Sequence, residues 1–401
     1  MKSLQSLSFL ISIVLGLSVL NSCAPSWSET FQSGSITKQD FTETINMELI
    51  KGVIIIPVEI NGKTYRFLFD TGAINSISEE MQEELDFKQV STGHLKDSDN
   101  NRTKVKYVNV DTLSINGIEF YNQTSFVGDF NANPVLRCMK LDGILGSNVM
   151  HFCNWTIDYK KEEITLSNEK IEEADKETFT IPFETDKQYS QFIDLKIGDK
   201  SINHIKVDYG SNGSLSIPNS AFEKLKEYEL IEKTTFETGF SQSGIVGKTL
   251  VKKDEITIVD SLYHENLKFR NVLLESGGNG LLGSKIFSNW IVTIDWEDQL
   301  LYFRAQEEQK IDQYTFGLGI GYSEKLGAYV QTIIQGSPAE AAGIEPKMKI
   351  LKIGEISFNE ESDFCQYIHY TKKEDTIELE FIDFEGNTHQ KTLLKDNYSL
   401  K

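Results

Sequence analysis

The chain has 401 residues, enough for two or three domains with cores of their own. Charged residues make up 25% and apolar residues 39%, which is the composition of a globular protein. A formal net charge of −20 argues against a nucleic-acid binder and disfavours acidic substrates.

Lys2 followed by an apolar run from Leu7 to Leu20 predicts an export signal over residues 1–22. The run ends Leu20-Asn21-Ser22-Cys23, which resembles a bacterial lipobox. That resemblance implies acylation at Cys23 and a lipid-anchored, exported protein, with Ala24 compatible with the periplasmic face of an outer membrane. No other stretch approaches the roughly 20 apolar residues that a spanning helix needs. Residues 23–44 are polar and read as a tether. Beyond Cys23, three cysteines remain, so they cannot all pair within one chain; whether Cys138 and Cys153 bridge is left open. Neither a CxxC nor an HExxH pair occurs, so no metal or cofactor is expected.

From Ile45 the pattern turns to strands. Gly52 to Ile60, an Asn61-Gly62 turn, and Tyr65 to Asp70 read as a hairpin. Its second strand ends Phe67-Leu68-Phe69-Asp70-Thr71-Gly72, an apolar run delivering an acid where its charge is costly. Glu79 to Leu85 reads as a short helix, and residues 96–103 as a polar tip between extended stretches. Leu141-Asp142-Gly143-Ile144-Leu145-Gly146 and a closing strand, Trp155 to Tyr159, complete the unit.

The same order then returns. Phe192 to Ile197 and Ile205 to Asp208 match the first hairpin, and Gly239 to Gly244 stands where the polar tip stood. Ser220 to Glu223 has the spacing of a capping box for the matching helix. Leu281-Leu282-Gly283-Ser284 repeats Leu145-Gly146-Ser147 in its setting, and Thr293-Ile294-Asp295 repeats Thr156-Ile157-Asp158. Asp70 and Asp208 begin stretches that share Asp, Gly, Ser and Ser at the same offsets, so a duplication is inferred. The GxGxxG formed by Gly278 to Gly283 falls on this repeat and lacks strand–helix alternation around it, so it is not read as a dinucleotide site. After about residue 308 a smaller unit begins, with strands at Tyr329 to Ile334 and Lys349 to Ile353 and a short helix opened by Ser337-Pro338.

Phe69-Asp70-Thr71-Gly72-Ala73 with Ile144-Leu145-Gly146, and Asp208-Tyr209-Gly210-Ser211 with Leu281-Leu282-Gly283, resemble the two halves of a pepsin-like aspartic protease, as if a retropepsin dimer were fused into one chain. Gly317-Leu318-Gly319-Ile320, Gly336-Ser337-Pro338-Ala339 and Ala342-Gly343-Ile344 resemble a bacterial PDZ domain. The resemblance implies a mainly β fold: two retropepsin-like barrel lobes, 45–172 and 173–307, and a small α+β PDZ domain, 308–401. It implies an aspartic endopeptidase in which Asp70 and Asp208 share one proton, as the paired acids of such proteases do. Thr71, Gly72, Gly210 and Ser211 would hold the loops, and one of the tips would close as a flap. The PDZ loop, Gly317, Leu318, Gly319 and Ile320, would take a peptide's terminal carboxylate on backbone N–H groups. The partners expected are peptide or protein substrates, PDZ-bound peptide termini and, through the anchor, a membrane.

Tyr209 departs from the resemblance. A hydroxyl residue of Thr or Ser size is expected after each acid, to bond across to the opposite loop; Thr71 fits and Tyr209 is too large. The alternative reading is therefore an inactive protease-like scaffold whose PDZ domain binds peptides. A third is Asp70 pairing with the same residue of a second chain.

Overall fold

A computed structural model describes residues 30–36, 39–97, 101–171, 177–241, 244–245, 249–306, 314–371 and 374–397. The export signal and Cys23 lie outside the described residues. No described helix is long and apolar enough to cross a membrane.

The structure is mainly β. The first hairpin forms as its residues dictate: strands Val53–Ile60 and Lys63–Asp70 flank Asn61 and Gly62, both at positive φ (51° and 76°), the geometry an Asn-Gly turn favours. Strand Lys63–Asp70 then pairs in parallel with Gly143–Gly146, and that strand with Ser76–Ser78. Ser76–Ser78 pairs with Ile118–Gly128, which pairs with Arg102–Ile115, which returns to Val53–Ile60. Six strands thus close a barrel, which abolishes exposed edges and buries Phe67, Phe69, Val110 and Phe120 inside it. The predicted helix runs over Glu79–Leu85, capped by Ser78, whose hydroxyl accepts from the Met81 N–H.

The pairing order recurs further along. Gln191–Ile197, Lys200–Asp208, Leu281–Gly283, Leu215–Ser216, Leu267–Glu275 and Leu250–His264 form a second closed ring. Here the capping box is not realised. The helix runs over Asn219–Glu227 and starts from Pro218, whose carbonyl receives the Ala221 and Phe222 N–H groups, so Ser220 already sits inside the first turn.

A six-stranded antiparallel sheet joins the rings, in the order Thr178–Pro182, Leu300–Ala305, Trp290–Asp295, Asn154–Asp158, Glu163–Ser167, Thr42–Asn46. At its centre Thr156 faces Thr293, their hydroxyls 2.8 Å apart. Trp155, Ile157, Val292 and Ile294 bury the other face of these strands in a core shared by both rings. The expected tether is corrected from Thr30 onward. Phe31 is buried edge-on against Tyr107, Ser35–Ile36 pairs with Ile118–Gly128, and Thr42–Asn46 closes the linking sheet.

The C-terminal unit does not stand apart. Its strand Gly327–Ile334 pairs antiparallel with Thr235–Ser241, the outer strand of the second ring's hairpin. Gly239 to Ser241, expected as part of a tip, are therefore in strand. On the other side, helix Glu361–Ile368 lies along helix Pro134–Met139 of the first ring. Cys138 and Cys365 form a disulfide, Arg137 Nε donates to Glu361 Oε1 at 2.6 Å, and His369 Nε2 lies 2.9 Å from the Cys138 carbonyl. Cys153 stays a buried free thiol, so the question left open by the sequence is answered by a bridge from Cys138 to Cys365 spanning 227 residues. Ile50, Val53, Ile55, Leu68 and Ile144 of the first ring share one core with Ile320, Val330, Phe364 and Ile368. Because the bridge closes so long a loop, Cys365→Ser should lower stability by about 2–5 kcal/mol. In calorimetry the C-terminal unit should then melt ahead of the rings; an unchanged single transition would show the interface holds without the bridge.

Candidate active site

Asp70 and Asp208 each end a barrel strand in parallel register with the glycine of a later Leu-Gly pair: Asp70 opposite Gly146, Asp208 opposite Gly283. A Cβ on Gly146 would collide with the backbone of Ile74 and Asn75, and one on Gly283 with the Gly213 carbonyl. The acid loop folds directly over each glycine, and Ser147 N–H and Ser284 N–H fasten it to the carbonyls of Ala73 and Ser211, at 2.9 and 2.8 Å. The packing behind each loop explains why an apolar-apolar-Gly sequence is needed so far downstream of each acid.

The two loops meet. A Cβ on Gly72 would lie 2.5 Å from the Asp208 carboxyl carbon, and a Cβ on Gly210 would overlap the carboxyl of Asp70. Each glycine leaves room for the opposite acid. The two carboxyl groups are therefore neighbours, and each acts on the other's protonation. Gly72 N–H donates to Asp70 Oδ1 at 2.8 Å, and Ser211 N–H to Asp208 Oδ1 at 3.0 Å. Burial raises both acids, Asp70 well above the usual carboxylate range; the Asp208 charge adds to the rise at Asp70, while Lys206 and the loop N–H groups draw Asp208 back.

Thr71 is fully buried and bridges the loops, its hydroxyl donating to the Val207 carbonyl at 2.8 Å and accepting the Tyr209 N–H at 3.2 Å. The bulk of Tyr209 therefore does not prise the loops apart. Its backbone makes the cross-link, and its ring turns into the shared core, stacked on Phe287 at 4.6 Å and edge-on to Phe69 at 5.7 Å. Ser211 does not stand in for a second gripping hydroxyl: its Oγ accepts from Gly213 N–H in its own loop. Its contribution to the site is the N–H on Asp208.

Sequence reasoning missed Lys206, whose Nζ donates to the Gly72 carbonyl across the two loops at 3.2 Å. Its signal was an isolated charge on a strand otherwise matching the apolar run before Asp70. Described residues from the two hairpins come together: a Cβ on Gly244 would overlap the Asp97 carboxyl, Asn133 Nδ2 donates to the Gly244 carbonyl at 3.2 Å, and Ile245 packs against the cluster of Ile74 and Phe126. Of the four residues expected to receive a peptide terminus, Leu318 to Ile320 begin strand Leu318–Ser323, and Gly317 N–H is taken by Thr315 Oγ1 at 3.0 Å. Among the described residues no group of three or more His, Cys, Asp or Glu side chains is placed to hold a metal ion.

The raised acids have a consequence for stability. An acid whose pKa is higher folded than unfolded holds a proton the unfolded chain has released, so its contribution to stability falls as pH climbs from the unfolded value, about 4, through the folded one. Asp70→Asn removes that burden and should be more resistant to denaturant than the parent at pH 7.5, with the gap closing at pH 3.5. Equal midpoints at both pH values would show that the acids are not held protonated.

No curated protein matches the sequence. Residues 56–149, from the first hairpin past the Asp70 loop to the turn behind Gly146, match the family model described as aspartyl protease, which supports a hydrolase of the aspartic protease type.

Proposed function

We propose that the chain is an aspartic endopeptidase of two acid-protease lobes in tandem, with Asp70 and Asp208 as its catalytic dyad. The observation carrying this is that two half-buried carboxyls meet across loops of the same build, each lying against the other loop's glycine. Two acids so placed cannot both ionise at modest cost, so the pair holds one proton over a wide pH range. The ionised member takes a proton from a water lying between them while the water oxygen bonds to the scissile carbonyl carbon. The protonated member hands its proton to the carbonyl oxygen. The resulting gem-diol collapses with proton transfer to the leaving nitrogen, and no covalent enzyme intermediate forms. The hairpins ending near Asp97 and Gly244 cover the substrate and shed bulk water. The test is cleavage of a peptide library between pH 3 and 7 by the parent and by the two Asp→Asn variants. A parent without activity, or an Asp208→Asn variant with full activity, overturns the reading.

The C-terminal unit is proposed as a PDZ domain, and residues 1–23 as a lipoprotein signal ending at the acylated cysteine. Supporting the first, strand Leu318–Ser323 pairs with Gly327–Ile334 on one edge and carries no strand on its other edge among the described residues. A peptide added there has helix Glu361–Ile368 on one side, and that helix turns Glu361, Cys365 and His369 toward helix Pro134–Met139. Peptides with a free apolar C-terminus should accordingly bind at least tenfold more tightly to Cys138→Ser/Cys365→Ser than to the parent, read by fluorescence anisotropy. Equal affinity would place binding away from that helix.

A further inference from the structure

Lys206 stands two residues before Asp208; the matching position before Asp70 is Leu68. Each shares its acid's face of the strand. The two faces differ in what covers them. Leu68 is buried in the core built with the C-terminal unit, whereas Lys206 is half-buried, its ammonium 5.8 Å from the centre of the Phe192 ring. Lys206 forms no ion pair with a carboxylate among the described residues, and its hydrogen bond goes to the carbonyl of Gly72, in the opposite loop.

That bond fills a gap. Thr71 reaches from the first loop to the second, but no side-chain hydroxyl of the second loop reaches back, since the Tyr209 ring is in the core and Ser211 Oγ serves its own loop. We propose that Lys206 is a positioning residue of the dyad: its ammonium supplies the return tie from the second strand to the first loop, and its charge keeps the negative end of the pair on Asp208 and the proton on Asp70. Asp208 is then the base toward water, and Asp70 the acid toward the carbonyl oxygen. This rests on the hydrolase reading above.

The surroundings leave this role to Lys206. The groups acting most strongly on the pair are each other's carboxyl, the N–H groups of Gly72, Gly210 and Ser211, and Lys206, whose Nζ bonds the Gly72 carbonyl. The strands behind the loops, Gly143–Gly146 and Leu281–Gly283, bring no charge. Lys285, on the turn behind the Asp208 loop, acts on Glu275, and Tyr159 acts on Tyr209. In the second hairpin Lys252 is engaged by Glu237, Asp254 and Glu275, and in the first Asp97 accepts from Asn101.

A cation beside the pair favours its singly ionised form over the neutral form, and the doubly ionised form over the singly ionised one. Removing it should therefore move both limbs of the pH–rate profile upward, the acid limb by about one pH unit. Lys206→Met should show that shift together with a several-fold lower kcat, while Lys206→Arg, keeping the charge, should retain the parental limbs. Thermal melting of each variant separates this from a folding defect. As a readout free of activity, the carboxyl carbons of 13C-labelled Asp in the parent and in Lys206→Met should titrate, the lower transition of the pair rising in the variant. Limbs and carboxyl transitions coinciding in parent and Lys206→Met would overturn the proposal. A parent that cleaves nothing, with the carboxyl shift still present, would overturn the hydrolase reading and leave the tie between Lys206 and the pair standing.

Discussion

Asp208→Asn is expected to reduce peptide cleavage by at least about a thousandfold, as completely as Asp70→Asn, and with no loss of folded protein. The equality is the informative part. In an inactive scaffold the parent itself would cleave nothing, and in a dimer that pairs Asp70 across chains the Asp208 variant would keep the parental rate. Within this chain each loop's glycine abuts the opposite acid and the two carboxyls are neighbours, so neither can be replaced without removing a step of the proton exchange. An amide at either position preserves volume and can still donate or accept a hydrogen bond, so Thr71, Gly72 and Ser211 should keep the loops in place. Steady-state cleavage at the parental pH optimum, with circular dichroism as the control, reads the result.

Gly210→Ala should cost at least about a hundredfold in kcat while costing only about 1–3 kcal/mol of stability. The added methyl would overlap the Asp70 carboxyl. Either Asp70 rotates away or the second loop lifts, and both separate the pair. Gly72→Ala presses on Asp208 in the same way. By contrast Gly62→Ala, at a hairpin turn with nothing within 4 Å of the new carbon, strains only its positive φ and should leave kcat unchanged. A Gly210→Ala enzyme of parental kcat would mean that the loops do not hold the acids in contact during turnover.

Some of the site was legible because its signals are local. The Asn61-Gly62 hairpin, the helix over Glu79–Leu85 and the strand Lys349–Ile353 follow from turn chemistry and apolar spacing within a few residues. The Ser220 capping box failed on an equally local competitor, Pro218, which opened the helix first. Tyr209 was harder: its size argued against the loops meeting, and nothing near it in sequence announces that its ring leaves for a core formed by Phe69, Tyr159 and Phe287 while its N–H stays to make the link. Residues 23–44 read as polar because they are rich in Ser, Thr, Gln and Glu, yet Phe31 packs on Tyr107 and Phe41 is buried and bonded to Asn168, both far along the chain.

The amino-acid order alone determined that two acid-bearing turns exist, each at the end of an apolar strand, each with a Leu-Gly pair to pack behind it. It does so because strand period, turn residues and duplication are written in neighbouring positions. Only the tertiary structure decided that the two carboxyls meet across the opposite loops' glycines, that Lys206 reaches Gly72, and that Cys138 chooses Cys365 over Cys153. Those pairings join residues more than a hundred positions apart, and they depend on how two closed barrels and a docked third unit present their faces, which no short-range pattern encodes.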